Sequence, residues 1–332
     1  MNTTTSPLFR WICSQALSPA EHAFLGTMIL PLDEAEVCWQ QWLNTPKLPH
    51  GGEDLLPLLH ERSHSLTSTA PREVARRLTV AALLEERRGT ALQTILGDLL
   101  TKMEQRGLSP LVLDGHVRPG RRLRHTASID LLFPDNRTLQ AATNVLGLEE
   151  VAIRGGVFKY QHPSGLPVHL YASTPPGLSE LDHEQLTAAA QEGTVDGLVF
   201  RYLAHIDELA LACLAYCGTS QPRWLIDAAV LVGMEGVTPN RLENLAKREP
   251  VIACAVDGVL GYLDHTFALP NAVTLRRVLP ALPISLRQRY QTVFSIVGRR
   301  RFLAARQPLL LRAYLAWWAL ATHRQGEPKT AS

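Results

Sequence analysis

Apolar residues recur at spacings of three and four through residues 8–106, the period of helices that each bury one face. Residues 19–25 and 35–43 show the spacing most clearly. Pro46, Pro49, Gly51 and Gly52 interrupt it, which places a loop there. A long helix starts near Pro71 and passes Gly89, where a kink is expected. It continues through Leu92, Ile95, Leu96, Leu99, Leu100 and Met103 and stops at Gly107, placed like a helix C-cap.

The pattern then changes. Short apolar runs at 111–113 and 129–133, bounded by turn residues, read as buried strands. Residues 138–146 predict a helix closed by Gly147. Residues 150–154 and 157–161 predict a hairpin through Gly155 and Gly156. A turn at 162–165 leads into a strand over 166–172. Helical spacing returns with a helix from Asp182 to near Gly193, and others over 205–217, 221–232, 240–247, 251–264, 284–297 and 308–323. Thr238 and Pro239 supply the N-cap and first position of the 240–247 helix. The pattern predicts an α+β protein, a small mixed sheet flanked by N- and C-terminal helical regions. The regions divide at 1–88, 89–200 and 201–332.

Composition narrows the class. With 46% hydrophobic and 19% charged residues the chain has the makings of a globular core. A net charge of +2 offers no bulk attraction to nucleic acid, and no nucleic-acid partner is expected. The five cysteines are an odd number in apolar surroundings, which favours buried thiols in a reducing cytoplasm over a disulfide framework. The N-terminus lacks a secretory pattern and no apolar run reaches the roughly 18 to 20 residues of a membrane span, so a soluble, cytoplasmic protein is expected. Arg299, Arg300 and Arg301 precede an apolar helix with Trp317 and Trp318. A packed terminal helix is favoured there over one lying on an anionic membrane.

The chemistry gathers between residues 111 and 133. An apolar run enters Asp114 and Gly115; His116, Arg118, Arg121, Arg122, Arg124 and His125 follow, and a second strand carries Ser128 and Asp130. Side chains at i and i+2 of a strand share one face, so positions 128 and 130 point the same way. Arginine forks suit phosphate oxygens, and the basic stretch is either an anion cradle, with Lys159 as a further candidate, or a solvated loop. Asp114 either caps the turn before Gly115 or approaches the same pocket as Asp130. His169 reads as a hydrogen-bonded strand histidine, and Asp227 with Arg223 as a helix-surface or domain-bridging ion pair. Cys213 and Cys217, with His205 two turns earlier, lack a recognisable four-ligand zinc set.

In order along the chain stand Leu113-Asp114-Gly115, Arg124, Ser128-Ile129-Asp130-Leu131-Leu132, Pro167-Val168-His169 and Trp224 to Asp227. This ordered set resembles the uncharacterised nucleotidyltransferase family of bacterial biosynthetic clusters, a branch of the DNA polymerase beta-like superfamily. The resemblance covers roughly residues 10–235. It implies transfer of a nucleoside monophosphate from ATP or another NTP, with magnesium, to a small-molecule, sugar or peptide acceptor. By the same resemblance Gly115 takes the triphosphate turn, Arg121, Arg122, Arg124 and His169 bind the nucleotide, and Asp130 holds metal. Where the family has a lysine, a first carboxylate and a later-strand aspartate, this chain has Asp114, Ser128 and Pro167. A rearranged site would use Asp130 and Asp114 as metal ligands, with Ser128 a weakened ligand position. The alternative is a non-catalytic module of the same form that binds a protein partner.

Overall fold

A computed structural model describes residues 17–113, 128–147, 157–172, 183–195, 197–219, 221–248, 250–277 and 279. Helix α1 (Pro19–Ile29) opens with a capping box. The Glu21 N–H donates to Ser18 Oγ at 3.3 Å, and the Ser18 N–H returns to Glu21 Oε2 at 2.9 Å. It packs closely on α2 (Leu32–Asn44), and Gly26 is the reason. A Cβ at that position would lie 2.6 Å from Cys38 Sγ, so only glycine admits the approach. After a 3-10 turn (Gly52–Leu55) and α3 (Leu56–Ser63), α4 runs unbroken from Arg72 to Glu104, about 50 Å at 1.5 Å per residue. Gly107, at φ +68°, turns the chain after it.

The sheet is mixed and six-stranded, with spatial order β3-β4-β2-β1-β6-β5. Its strands are β1 (Leu111–Val112), β2 (Ile129–Leu132), β3 (Val157–Gln161), β4 (Pro167–Tyr171), β5 (Gln191–Val195) and β6 (Leu198–Tyr202). Strands β4/β2 and β1/β6 pair parallel; β3/β4, β2/β1 and β5/β6 pair antiparallel. Helix α5 (Asn136–Leu146) follows β2, with Asp135 accepting from the Thr138 N–H at 2.6 Å and Gly147 at φ +61° closing it. The remaining helices are α6 (His183–Ala189), α7 (His205–Thr219), α8 (Pro222–Leu231), α9 (Pro239–Arg248), α10 (Pro250–Phe267) and α11 (Pro270–Arg276).

Alternation along the strands divides the interior in two. Ile129, Leu131, Phe133, Val168 and Leu170 pack with the second half of α4, from Leu92 to Met103, and with α5. Leu111, Leu113 and Leu132 look the other way, into a larger core shared by the N-terminal helices (Phe24, Trp39, Leu59) and the C-terminal ones (Tyr216, Leu225, Tyr262). The outer helical regions thus share one core on one face of the sheet. Arg223 bridges them, donating to Asp54 Oδ2 at 3.5 Å.

One expectation from the sequence differs from this structure, and another lies partly outside the described residues. Residues 157–161 pair with β4 across the His162–Gly165 turn, where the His162 N–H donates to the Leu166 carbonyl at 2.9 Å; residues 150–154 lie outside the described residues. The helix expected from Asp182 to near Gly193 ends at Ala189, and β5 begins at Gln191. The polar residues Gln191, Glu192 and Thr194 hide β5 from a hydrophobicity scan, because an edge strand has only one neighbour to bury it. Gly197, at φ +82°, turns β5 into β6. Among the described residues, no helix is long and apolar enough to cross a membrane.

Candidate functional site

Strands β2 and β4 run parallel with Asp130 opposite His169, which places both side chains on one face of the sheet. Continued two residues back, past Ile129 opposite Val168, the same register brings Ser128 level with Pro167. Across β4, Lys159 of β3 stands opposite His169. Lys159, His169 and Asp130 therefore form a row over three adjacent strands, continued on β1 by Leu113, whose N–H donates to the Asp130 carbonyl at 2.9 Å. The charged end of the row is open and the leucine end is core.

The hydrogen bonds within the cluster converge on one oxygen. Ser128 Oγ donates to Asp130 Oδ1 at 3.0 Å, and His169 Nδ1 lies 2.8 Å from the same Oδ1. A carboxylate oxygen can only accept, so Nδ1 carries a proton, and Nε2 is left as the ring's second polar atom. Asp130 Oδ2 and His169 Nε2 are the atoms left to meet a ligand. The two side chains are 26% and 22% exposed, so the pair is only partly screened by water. Ser128 is buried, which makes its hydroxyl a fixed donor.

Tyr171 lies two residues beyond His169 on the same face, its ring perpendicular to the imidazole at 6.4 Å. Burial raises its phenol pKa, and the charge of Asp130 raises it further, so Tyr171 stays a neutral hydrogen-bonding group. The sequence reading overlooked it, although the i+2 relation to His169 was the available signal.

The structure thus brings together Ser128, Asp130 and His169 from the expected set and adds Lys159 and Tyr171. Asp114, Gly115, Arg121, Arg122 and Arg124 lie outside the described residues, as do His116, Arg118 and His125. Their segment joins Leu113 to Ser128, the two residues that flank Asp130 in the sheet. Asp227 is buried at 3% exposure on α8, so the expected helix-surface placement does not hold for it. Cys213 and Cys217 are buried thiols, and burial pushes Cys213 well above the usual thiol range. His205 Nδ1 lies 2.7 Å from the Glu235 carbonyl.

Magnesium binds one or two carboxylates together with phosphate and water, and a two-ion centre needs shared anionic ligands between the ions. Among the described residues no group of three His, Cys, Asp or Glu side chains converges, and the cluster has Asp130 as its carboxylate. Asp130 already spends one oxygen on Ser128 and His169. Asp130 by itself does not complete a two-magnesium centre, and Asp114, the expected second metal ligand, lies outside the described residues. The described residues of the cluster fit an anionic or hydroxylic ligand, met by Lys159 and by the His169 ring.

Comparison with known proteins is sparse. No protein-family model and no curated protein matches the chain. Among solved structures, an antigenic nucleotidyltransferase-like protein from Paracoccidioides brasiliensis is similar at a TM-score of 0.34 and 16% identity, over 49% of this chain and 91% of that one.

Proposed function

We propose that the chain is a nucleotidyltransferase-like protein that binds a nucleoside triphosphate, ATP or another NTP, and has lost efficient metal-dependent transfer. The strand register supports this reading most directly. Ser128 and Pro167, where the family it resembles carries two carboxylates, fall level with each other when the β2–β4 register is continued, while Asp130 and His169 face each other two residues on. Two of the three departures therefore fall together in one corner of the site.

In this reading the phosphates meet cations: Lys159 at the open end of the row, and Arg121, Arg122 and Arg124 from the segment between Leu113 and Ser128, with Gly115 at the triphosphate turn. Arginine forks hold phosphate oxygens without a metal. Asp130 fixes the His169 ring, whose Nε2 accepts a hydroxyl of the sugar or, when protonated, donates to a phosphate. Binding of this kind suits a subunit that presents a nucleotide or serves a protein partner, and a cytoplasmic setting.

The second reading is transfer of a nucleoside monophosphate to a small-molecule, sugar or peptide acceptor. It is favoured by the bond from the Leu113 N–H to the Asp130 carbonyl. Asp114 follows Leu113 directly in the chain, so it is the candidate for a second carboxylate at Asp130. Titration calorimetry with ATP and GTP, in EDTA and in magnesium, separates the two. Binding that is equally tight with and without magnesium, and weakened by Lys159→Ala, supports the first. Magnesium-dependent binding with pyrophosphate release abolished by Asp114→Asn and Asp130→Asn establishes the second. Absence of NTP binding under both conditions removes both.

A further inference from the structure

The N-terminal half of α4 carries an apolar ridge that the other described residues leave exposed. Val80, Leu83 and Leu84 are 48%, 54% and 62% exposed, at i, i+3 and i+4 of the helix. Arg76, Arg77 and Arg87 are also exposed and border the ridge within a turn, and none of the three makes an ion pair among the described residues. A seam of i, i+3, i+4 anchors flanked by charge is how an amphipathic helix is recognised by another helix.

Charge decides the occupant. A second copy laid antiparallel with Val80 against Leu84 sets Arg77 against Arg87, and a parallel copy sets each arginine against itself. Like charges at such a seam are repulsive. The chain's own C-terminal segment is equally unsuited, since it brings Arg299, Arg300, Arg301, Arg306 and Arg312. A lipid surface would need apolar positions over several turns. Here the triad fills one turn, with Glu73 and Arg87 on the same face just beyond it. We infer that this ridge docks an acidic amphipathic helix of a different protein, its leucines on Val80, Leu83 and Leu84 and its carboxylates on Arg76, Arg77 and Arg87.

The test uses the full chain and a fluorescent synthetic helix of about 20 residues, with leucines at i, i+3, i+4 and i+7 and flanking glutamates. A matched helix has lysines in place of the glutamates. The acidic helix is expected to bind, with anisotropy showing weaker affinity as salt rises from about 50 to about 300 mM. Leu83→Ser with Leu84→Ser should reduce affinity about tenfold or more, or about 1.4 kcal/mol. Arg76→Gln with Arg77→Gln and Arg87→Gln should remove the salt dependence. All five side chains are exposed, so the fold is expected to survive, as circular dichroism would verify. Failure of the acidic helix to bind, or equal binding of the lysine helix, overturns the proposal. So does flotation on phosphatidylglycerol vesicles, or a dimer in ultracentrifugation, that Leu84→Ser abolishes.

Discussion

Restoring the first acid tests the reading of the site in a way that does not require an acceptor. Ser128→Asp places a second carboxylate beside Asp130, where the serine hydroxyl now donates at 3.0 Å. Two charges about 4 Å apart repel by about 4 kcal/mol at an effective dielectric of 20. Asp130 is 26% exposed, and screening reduces this to about 2 to 3 kcal/mol. The lost serine hydrogen bond adds about 1 kcal/mol. A destabilisation of about 3 kcal/mol is therefore expected in EDTA at pH 8. At about 2 to 4 °C per kcal/mol, Tm falls by about 6 to 12 °C. Lowering the pH to about 5 lets one carboxyl take a proton and recovers part of the loss. Magnesium in millimolar excess should recover part of it at pH 8, because the variant has the paired carboxylates that a hard cation seeks. Differential scanning calorimetry in EDTA and in magnesium, on wild type, Ser128→Asp and the Ser128→Asp/Asp130→Asn double variant, reads all of this. The double variant should regain most of the Tm in EDTA and lose the magnesium response. A wild-type Tm that rises with magnesium as much as that of Ser128→Asp would refute the reasoning, since it would place a working cation site in the native chain.

Two further predictions concern the frame around the site. Gly26→Ala inserts a methyl 2.6 Å from Cys38 Sγ and should cost about 1 to 3 kcal/mol of overpacking, offset by about 1 kcal/mol of helix propensity; urea denaturation should show the loss, and Cys38→Ala in the same chain should relieve it. Glu36 accepts from the Thr67 and Ser68 N–H groups, from Ser68 Oγ and from Gln40. The Ser68 hydroxyl is the largest cause holding its carboxyl down to about 2 from an ordinary 4.5. A depressed folded value means this contribution is present above pH 4.5 and fades as pH falls toward 2. Glu36→Gln should therefore flatten the acid limb of a stability–pH profile and leave its neutral shape unchanged.

The comparison of pattern with structure follows the range of the forces involved. Helix α5 was legible from Thr138 to its Gly147 stop because the three-four spacing and the glycine are neighbours in the chain; the Asp135 cap starts it two residues earlier, at Asn136. The Thr238 cap was legible for the same reason: the Arg241 N–H reaches Thr238 Oγ at 3.4 Å within one turn. Strand β5 was not, because its partner β6, and not its own residues, makes it a strand. Gly193 marks the cost of that pairing: a Cβ there would lie 3.0 Å from the Phe200 ring and 3.1 Å from Tyr202. The apolar residues of β3 fit a hairpin with either neighbour in the sequence, and the His162–Gly165 turn joins them to β4.

For the site, the sequence by itself determined the chemistry on hand: Asp130 two residues from Ser128 on a strand, a histidine after Pro167, arginines in between, and too few carboxylates. Spacing of two fixes a shared face, so that much is local. Only the tertiary structure decided which strand faces which. The parallel register of β2 with β4 set His169 on Asp130 and, continued, brings Ser128 level with Pro167, and β3 added Lys159 to the same row. Register between strands 39 residues apart is chosen by which faces bury together, here Ile129 and Leu131 with Val168 and Leu170. No window of sequence contains that choice.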